Sequence, residues 1–284
     1  MRSALYVPGH RPELYAKALA GPADVVLIDL EDAVPLGDKD SARATAAAWV
    51  RSLTTQRRRV WVRVNSGALG DADLHAVAPL GVAAVCLAKT ESPERVRAAA
   101  AVLEAREPRP GVTALCPLLE SAAAVLDARA IAAAPRVARL QLGEADLCAD
   151  TGIEPGGDRA ELLAVRTQIV LASAAAGIAS PLAPVSTDFR DTAALRRTTR
   201  ALARLGFRGR ACIHPDQVPI VNEVFTPSPR ELERARELVA RFDSAPGGIV
   251  LDADGRMVDL AVVRRARRVL ADAETPAGSS MLAQ

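Results

Sequence analysis

Eight apolar runs rich in β-branched residues recur along the chain, near residues 3 to 8, 24 to 31, 59 to 65, 83 to 89, 113 to 120, 138 to 143, 180 to 186 and 209 to 213. Ala-, Arg- and Glu-rich stretches with helical spacing separate them, such as SPERVRAAAAVLEAR after Lys89 and DTAALRRTTRALARLGF after Arg190. A run that is apolar without alternation has both faces buried, as parallel strands between covering helices do. Eight strand–helix units in succession predict a (β/α)8 barrel, with a doubly wound open sheet as the alternative. Half of the residues are hydrophobic but only 3% are aromatic, so the core must be built from Ala, Val, Leu and Ile.

The barrel is expected over residues 1–226, with helix starts marked by Ser92-Pro93-Glu94 and by Asp158. Beyond it, residues 227–273 form a short C-terminal helical lid or swap segment. A helix begins near Pro229, SAPGGIVLDADG is a loop or short hairpin containing Gly247, Gly248 and Gly255, and a last helix carries RRARR as a solvated basic face, with a site for the phosphates of a bound coenzyme as the alternative. Residues 274–284 are small and polar, the composition of a frayed tail.

With 36 basic against 34 acidic residues the net charge is +2, so no global field attracts nucleic acid or a membrane surface. Cys86, Cys116, Cys148 and Cys212 form no C-x-x-C pair, and three lie inside apolar runs, which predicts buried reduced thiols. No charged segment followed by an apolar stretch opens the chain, and Gly177, Pro181 and Pro184 interrupt the one long uncharged region. A soluble cytoplasmic protein is expected.

Several of the apolar runs deliver a charge at their carboxyl end, where parallel barrels build active sites. VLIDLEDAV ends in Glu31 and Asp32, ALCPLLES in Glu120, and RLQLGEADL leads to Asp146, while Arg63 closes VWVRVN and Lys89 closes AVCLAK. Carboxylates gathered at one face between two cations suit a hard metal ion and an anionic substrate. Mg²⁺ needs only one or two protein carboxylates, completing its shell with water and substrate oxygens, and Glu120 with Asp146 meets that need. Zinc would call for His or Cys ligands, and His10, His75 and His214 are scattered. Lys89 raises a Schiff-base mechanism as a competitor. Neither a GxGxxG nor a Walker pattern is present.

Taken in order, RSALYVPGHRPE, DVVLIDLEDAVP, VWVRVNS, LAKTES, LLES, LGEADL, CIHPDQV and GRMVD resemble the citrate lyase beta-subunit-like CoA-ester lyases of the HpcH/HpaI aldolase superfamily, from about Arg2 to Leu270. The resemblance implies a Mg²⁺-dependent (β/α)8 barrel, usually trimeric, that cleaves or forms a carbon–carbon bond next to an acyl-thioester. By motif position Glu120 and Asp146 are the metal ligands, and Arg63 binds substrate and stabilises the oxyanion. Glu31 and Asp32 join the catalytic group, and Lys89 with the Gly143-Glu144-Ala145 turn contacts substrate. Asp259 in GRMVD matches a C-terminal acid/base supplied by a neighbouring subunit. The chain departs from the pattern at Ser121, Leu142 and His10, which bears on substrate choice. The expected substrate is a 3-hydroxyacyl-CoA such as malyl-, citramalyl- or citryl-CoA, released as a 2-oxo acid and an acyl-CoA. An aldolase for free hydroxy-oxo acids and a non-catalytic barrel subunit are the alternatives.

Overall fold

The structure is a computed structural model that describes residues 1–244, 250, 251 and 257–274. Eight strands, β1 (Ser3–Pro8), β2 (Val25–Asp29), β3 (Val60–Val64), β4 (Ala84–Leu87), β5 (Ala114–Leu119), β6 (Arg139–Leu142), β7 (Ala179–Leu182) and β8 (Arg210–Cys212), pair in parallel. They form one sheet in the order β7-β6-β5-β4-β3-β2-β1-β8. Beyond the end of β7, Ala183 bridges Arg210 of β8, with the Ala183 amide on Gly209 O at 3.0 Å and the Ala211 amide on Ala183 O at 3.1 Å. That bridge brings the two edges together, and the molecule is a (β/α)8 barrel. Seven of the eight strands fall within the apolar runs, and β7 starts one residue ahead of its run.

The interior is filled by a cluster to which every strand region contributes, including Ala4, Val25, Leu27, Trp61, Ala84, Cys86, Cys116, Leu118, Leu182 and Ala211. Alanines at the strand starts leave room for the one bulky ring, Trp61, a division of volumes that a nearly aromatic-free chain needs to reach close packing. Cys86, Cys116 and Cys212 are buried free thiols, and Cys148 is half-buried and free.

Helices cover the barrel, and their starts obey local rules. The Ser92 side chain accepts from the Arg95 amide to cap the helix Pro93–Arg106, and Asp191 accepts from Ala194 N to cap Thr192–Leu205. Asp158 precedes a single 3₁₀ turn, Ala160–Leu162, which leads into the helix Leu163–Ala175. No helix among the described residues is long and apolar enough to cross a membrane.

The chain divides into two compact units, one over Met1–Asn222 and a second that begins at Glu223. In the second, the helix Pro229–Asp243 starts at a capping box of Ser228 and Glu231 and packs against the helix Leu260–Glu274, where Arg267 pairs with Asp243 at 2.7 Å. Val250–Leu251 and Met257–Val258 pair antiparallel, so the expected hairpin exists. Gly247, Gly248 and Gly255 and the tail from Thr275 lie outside the described residues.

Candidate active site

The two-residue period of a strand decides which side chains reach the barrel interior. Leu27, Trp61 and Leu118 belong to the interior cluster. Asp29, Arg63 and Glu120 each lie two residues further along the same strands, and therefore project inward at their carboxyl ends.

Arg63 is the hub. Its Nε and Nη2 donate to the two oxygens of Asp29, both at 2.6 Å, a bidentate fork that fixes the guanidinium plane. Nη1 is left to face the loop after β2, 3.0 Å from Glu31 Oε2 and 3.2 Å from Asp32 Oδ2. Burial alone would lower the Arg63 pKa, but the hydrogen bonds and charge of Asp29 outweigh it and hold the group firmly cationic. The guanidinium sits over the ring of Tyr6, 5.0 Å from its centroid, and the Tyr6 hydroxyl accepts from Gln141 Nε2 at 2.8 Å. Burial pushes the Tyr6 phenol well above its ordinary pKa, so it remains protonated.

Lys89 ties this cluster to the next carboxylate. It adopts a left-handed backbone, φ 49°, which a side chain with a Cβ takes at a cost and which recurs at functional positions. In that conformation its amide donates to Glu120 Oε1 at 2.7 Å, while its ammonium group donates to Glu31 and lies 3.5 Å from Asp32. Burial lowers the Lys89 pKa, but Glu31 and Asp32 raise it further, so the net shift is upward and the side chain stays an ammonium ion. An amine nucleophile needs the opposite shift, so this geometry disfavours Schiff-base chemistry at Lys89.

Glu31 and Asp32 shift in opposite directions. Burial and the hydrogen bond to Asp32 raise Glu31. For Asp32 burial is outweighed by the bond from Glu31 and by Arg63 and Lys89, and its pKa falls. Glu31 is buried and Asp32 exposed, so the two acids of the loop differ in environment although both face Arg63 and Lys89.

Glu120 is 5% exposed, and burial, followed by its contact with Asp146, lifts its pKa to about 8. A carboxyl kept protonated by a carboxylate neighbour at the mouth of a barrel is a place where a divalent cation can replace the proton. Asp146 is exposed in the first turn of the helix Glu144–Thr151, which Gly143 caps through its main chain. Gly143 admits no side chain: a Cβ there would stand 2.8 Å from both Cβ and Oε2 of Glu120. The residue thus lets the helix that carries Asp146 come close enough for the two acids to meet. No group of three or more His, Cys, Asp or Glu side chains is arranged around a common point among the described residues. The donor set is a two-carboxylate one, which suits Mg²⁺ with water and substrate oxygens filling its shell.

The remaining predicted residues separate. Ala145 is exposed beside Asp146, but the Glu144 carboxylate is buried and committed to Arg166, at 2.6 and 3.0 Å, and to Arg159 at 2.8 Å. Glu144 can offer a ligand its main chain only, and its side chain anchors the helix. Asp259 lies in the second unit, exposed, with Oδ1 accepting from the Ala261 and Val262 amides at 2.8 and 3.0 Å, so it caps the helix Leu260–Glu274. Sequence reasoning missed Tyr6 and the fork from Asp29 to Arg63. The signals were there: one of two tyrosines in the first strand, and an acid at the same inward phase as Arg63.

Comparison with known proteins identifies the family. The model of the HpcH/HpaI aldolase/citrate lyase family matches residues 2–215. The citrate lyase subunit beta of Leuconostoc mesenteroides subsp. cremoris is 32% identical over 278 residues, 95% of this chain and 92% of that one. A (3S)-malyl-CoA thioesterase of Cereibacter sphaeroides is 34% identical over 277 residues, 96% of this chain and 94% of its own. The crystal structure of CitE from Mycobacterium tuberculosis in complex with magnesium, acetoacetate and coenzyme A superposes with a TM-score of 0.80 at 33% identity, covering 96% of this chain and 98% of that one. A family match over three quarters of its length and relatives 32% and 34% identical across nearly all of it place this eight-stranded barrel in the HpcH/HpaI aldolase/citrate lyase family.

Proposed function

We propose that this protein is a Mg²⁺-dependent carbon–carbon lyase that cleaves, or in reverse forms, a 3-hydroxyacyl-CoA, giving a 2-oxo acid and an acyl-CoA. The observation that carries the reading is the buried Glu120 carboxyl beside Asp146, brought close by the absent side chain at Gly143 and linked through Lys89 to the Glu31–Asp32–Arg63 cluster. One half of the mouth suits a chelated cation and the other an oxyanion. A CitE relative holding magnesium, an oxo acid and coenzyme A together supports that division.

Glu120 and Asp146 would hold the ion, which supplies Lewis-acid polarisation of the oxo-acid oxygens when bound. Arg63, its plane fixed by Asp29, turns Nη1 toward the developing thioester enolate, and substrate competes for that donor with Asp32. The Lys89 ammonium attracts the substrate carboxylate. Glu31 and Asp32, beside Arg63 and Lys89, are placed for one of them to take the hydroxyl proton as the carbon–carbon bond breaks and return it to the enolate carbon. Asp259 of a neighbouring subunit in a homotrimer completes the acid/base set in this reading, and the compartment is the cytoplasm.

A thioesterase reading has one observation in its favour, the malyl-CoA thioesterase relative. It predicts free coenzyme A as product, where the lyase predicts an oxo acid with the thioester kept. Trapping separates both from imine chemistry. EDTA is expected to abolish turnover and borohydride with an oxo acid to leave no adduct; a borohydride adduct on Lys89 would overturn the metal assignment.

A further inference from the structure

We propose that Lys39 is a positioning residue of the active site: its ammonium group, clamped on the main-chain carbonyls of Leu30 and Glu31, holds the loop that aims Glu31 and Asp32 at Arg63 and Lys89. The inference rests on the reading of that loop as part of the site.

The position is a poor one for a lysine. Lys39 opens the 14-residue helix Lys39–Ser52, where a cation opposes the helix dipole, and it is only 9% exposed. Its Nζ donates to Glu31 O at 2.6 Å and to Leu30 O at 3.0 Å, carbonyls rather than carboxylates. The acid next to it in the helix is engaged elsewhere, since Asp40 pairs with Arg43 at 2.6 Å. A buried cation with no ion-pair partner among the described residues, at the wrong end of a helix, carries two penalties, and natural chains accept such local conflicts mainly where a site needs them.

What the conflict achieves is visible in the loop. Four consecutive amides are tied within it: Glu31 N to Asp29 Oδ1 at 2.9 Å, Asp32 N to Glu31 Oε2 at 2.8 Å, Ala33 N to Asp29 Oδ2 at 3.2 Å and Val34 N to Glu31 O at 2.9 Å. Such a turn crowds three acidic side chains against two cations, Arg63 and Lys89. Lys39 ties the turn through its two carbonyls and supplies the third positive charge. Each carbonyl has a second donor, Asn65 Nδ2 on Leu30 O at 2.8 Å and Val34 N on Glu31 O at 2.9 Å, but among the described residues Lys39 is the one cation on Glu31 O.

The test is Lys39→Met, read by hydrogen exchange and by kinetics on the full-length protein. If Lys39 holds the loop, the amides of Glu31 to Val34 exchange at least about tenfold faster while the barrel strands keep their protection. In the same variant kcat falls by roughly 10 to 100-fold, with KM and calorimetric Mg²⁺ affinity within about threefold of wild type, because the carboxylates are misaimed and the metal pair is not touched. Unchanged protection of the four amides would overturn the proposal, and so would exchange that accelerates evenly across the barrel with kcat per folded site retained. Should Lys39→Met not fold, Lys39→Gln, which keeps a donor without the charge, is read in the same way. A wild-type protein with no lyase turnover would defeat the functional reading, and the exchange measurement would still decide whether Lys39 holds the loop.

Discussion

Glu120 carries the sharpest conflict between burial and charge in this barrel, and its chemistry makes two predictions. Its pKa in the folded protein, about 8, lies above the ordinary value of 4.5, so the folded state binds the proton more tightly than the unfolded chain. The stability it contributes is complete below pH 4.5 and is lost as pH rises through about 8. Metal-free protein is therefore expected to lose thermal stability over that window, and Glu120→Gln to flatten the loss; a thermal-shift series across pH checks both. Mg²⁺ must displace the same proton, so calorimetry at pH 7 in buffers of different ionisation enthalpy should show close to one proton released per ion bound. In Glu120→Gln and Asp146→Asn, Mg²⁺ affinity is expected to fall at least about tenfold with the fold intact. Equal affinity in both variants and wild type would remove these residues from the metal site.

At the scale of elements, the helix Glu144–Thr151 aims Asp146, and two features hold it: the Glu144 anchor on Arg166 and Arg159, and the absent side chain at Gly143. Gly143→Ala puts a Cβ 2.8 Å from Glu120 and forces the helix or the carboxylate aside. The expected outcome is an overpacking cost of about 1 to 3 kcal/mol in a denaturant melt, together with at least about tenfold weaker Mg²⁺ binding. Much of this was legible beforehand. Apolar runs without alternation marked all eight strands, and an inward-phase charge after an apolar pair marked Arg63 and Glu120. What was hidden depends on contacts across the barrel or between distant turns. Glu144 reads as a ligand-facing acid until Arg166, 22 residues away, is found against it, and no feature of the sequence marks Lys39 until its carbonyl partners are known. Periodicity assigns a face to a side chain; it does not name the partner there.

The whole molecule raises the question of Asp259. Within its own unit it is a helix cap, a role Asn fills about as well as Asp, so Asp259→Asn should keep its melting temperature. If it also serves as the acid/base of an adjacent barrel, the same variant should lose roughly 10² to 10⁴ in turnover. Light scattering should then give a mass about three times the 29.8 kDa chain. Mixing inactive Asp259→Asn with inactive Glu120→Gln subunits should restore activity to about a quarter of wild type, since one site in four pairs an intact barrel with an intact acid. Near-wild-type turnover of Asp259→Asn alone would reduce the residue to a cap.

The central claim, metal-dependent cleavage of a carbon–carbon bond beside a thioester, meets its most direct test in product analysis. Purified protein is incubated with malyl-, citramalyl- and citryl-CoA, with Mg²⁺ and with EDTA, and the 2-oxo acid, the acyl-CoA and free coenzyme A are quantified separately. The account predicts oxo acid and acyl-CoA in equal amounts from at least one substrate, only with Mg²⁺ and not in Glu120→Gln. Free coenzyme A without oxo acid, or cleavage that persists in EDTA, would contradict it.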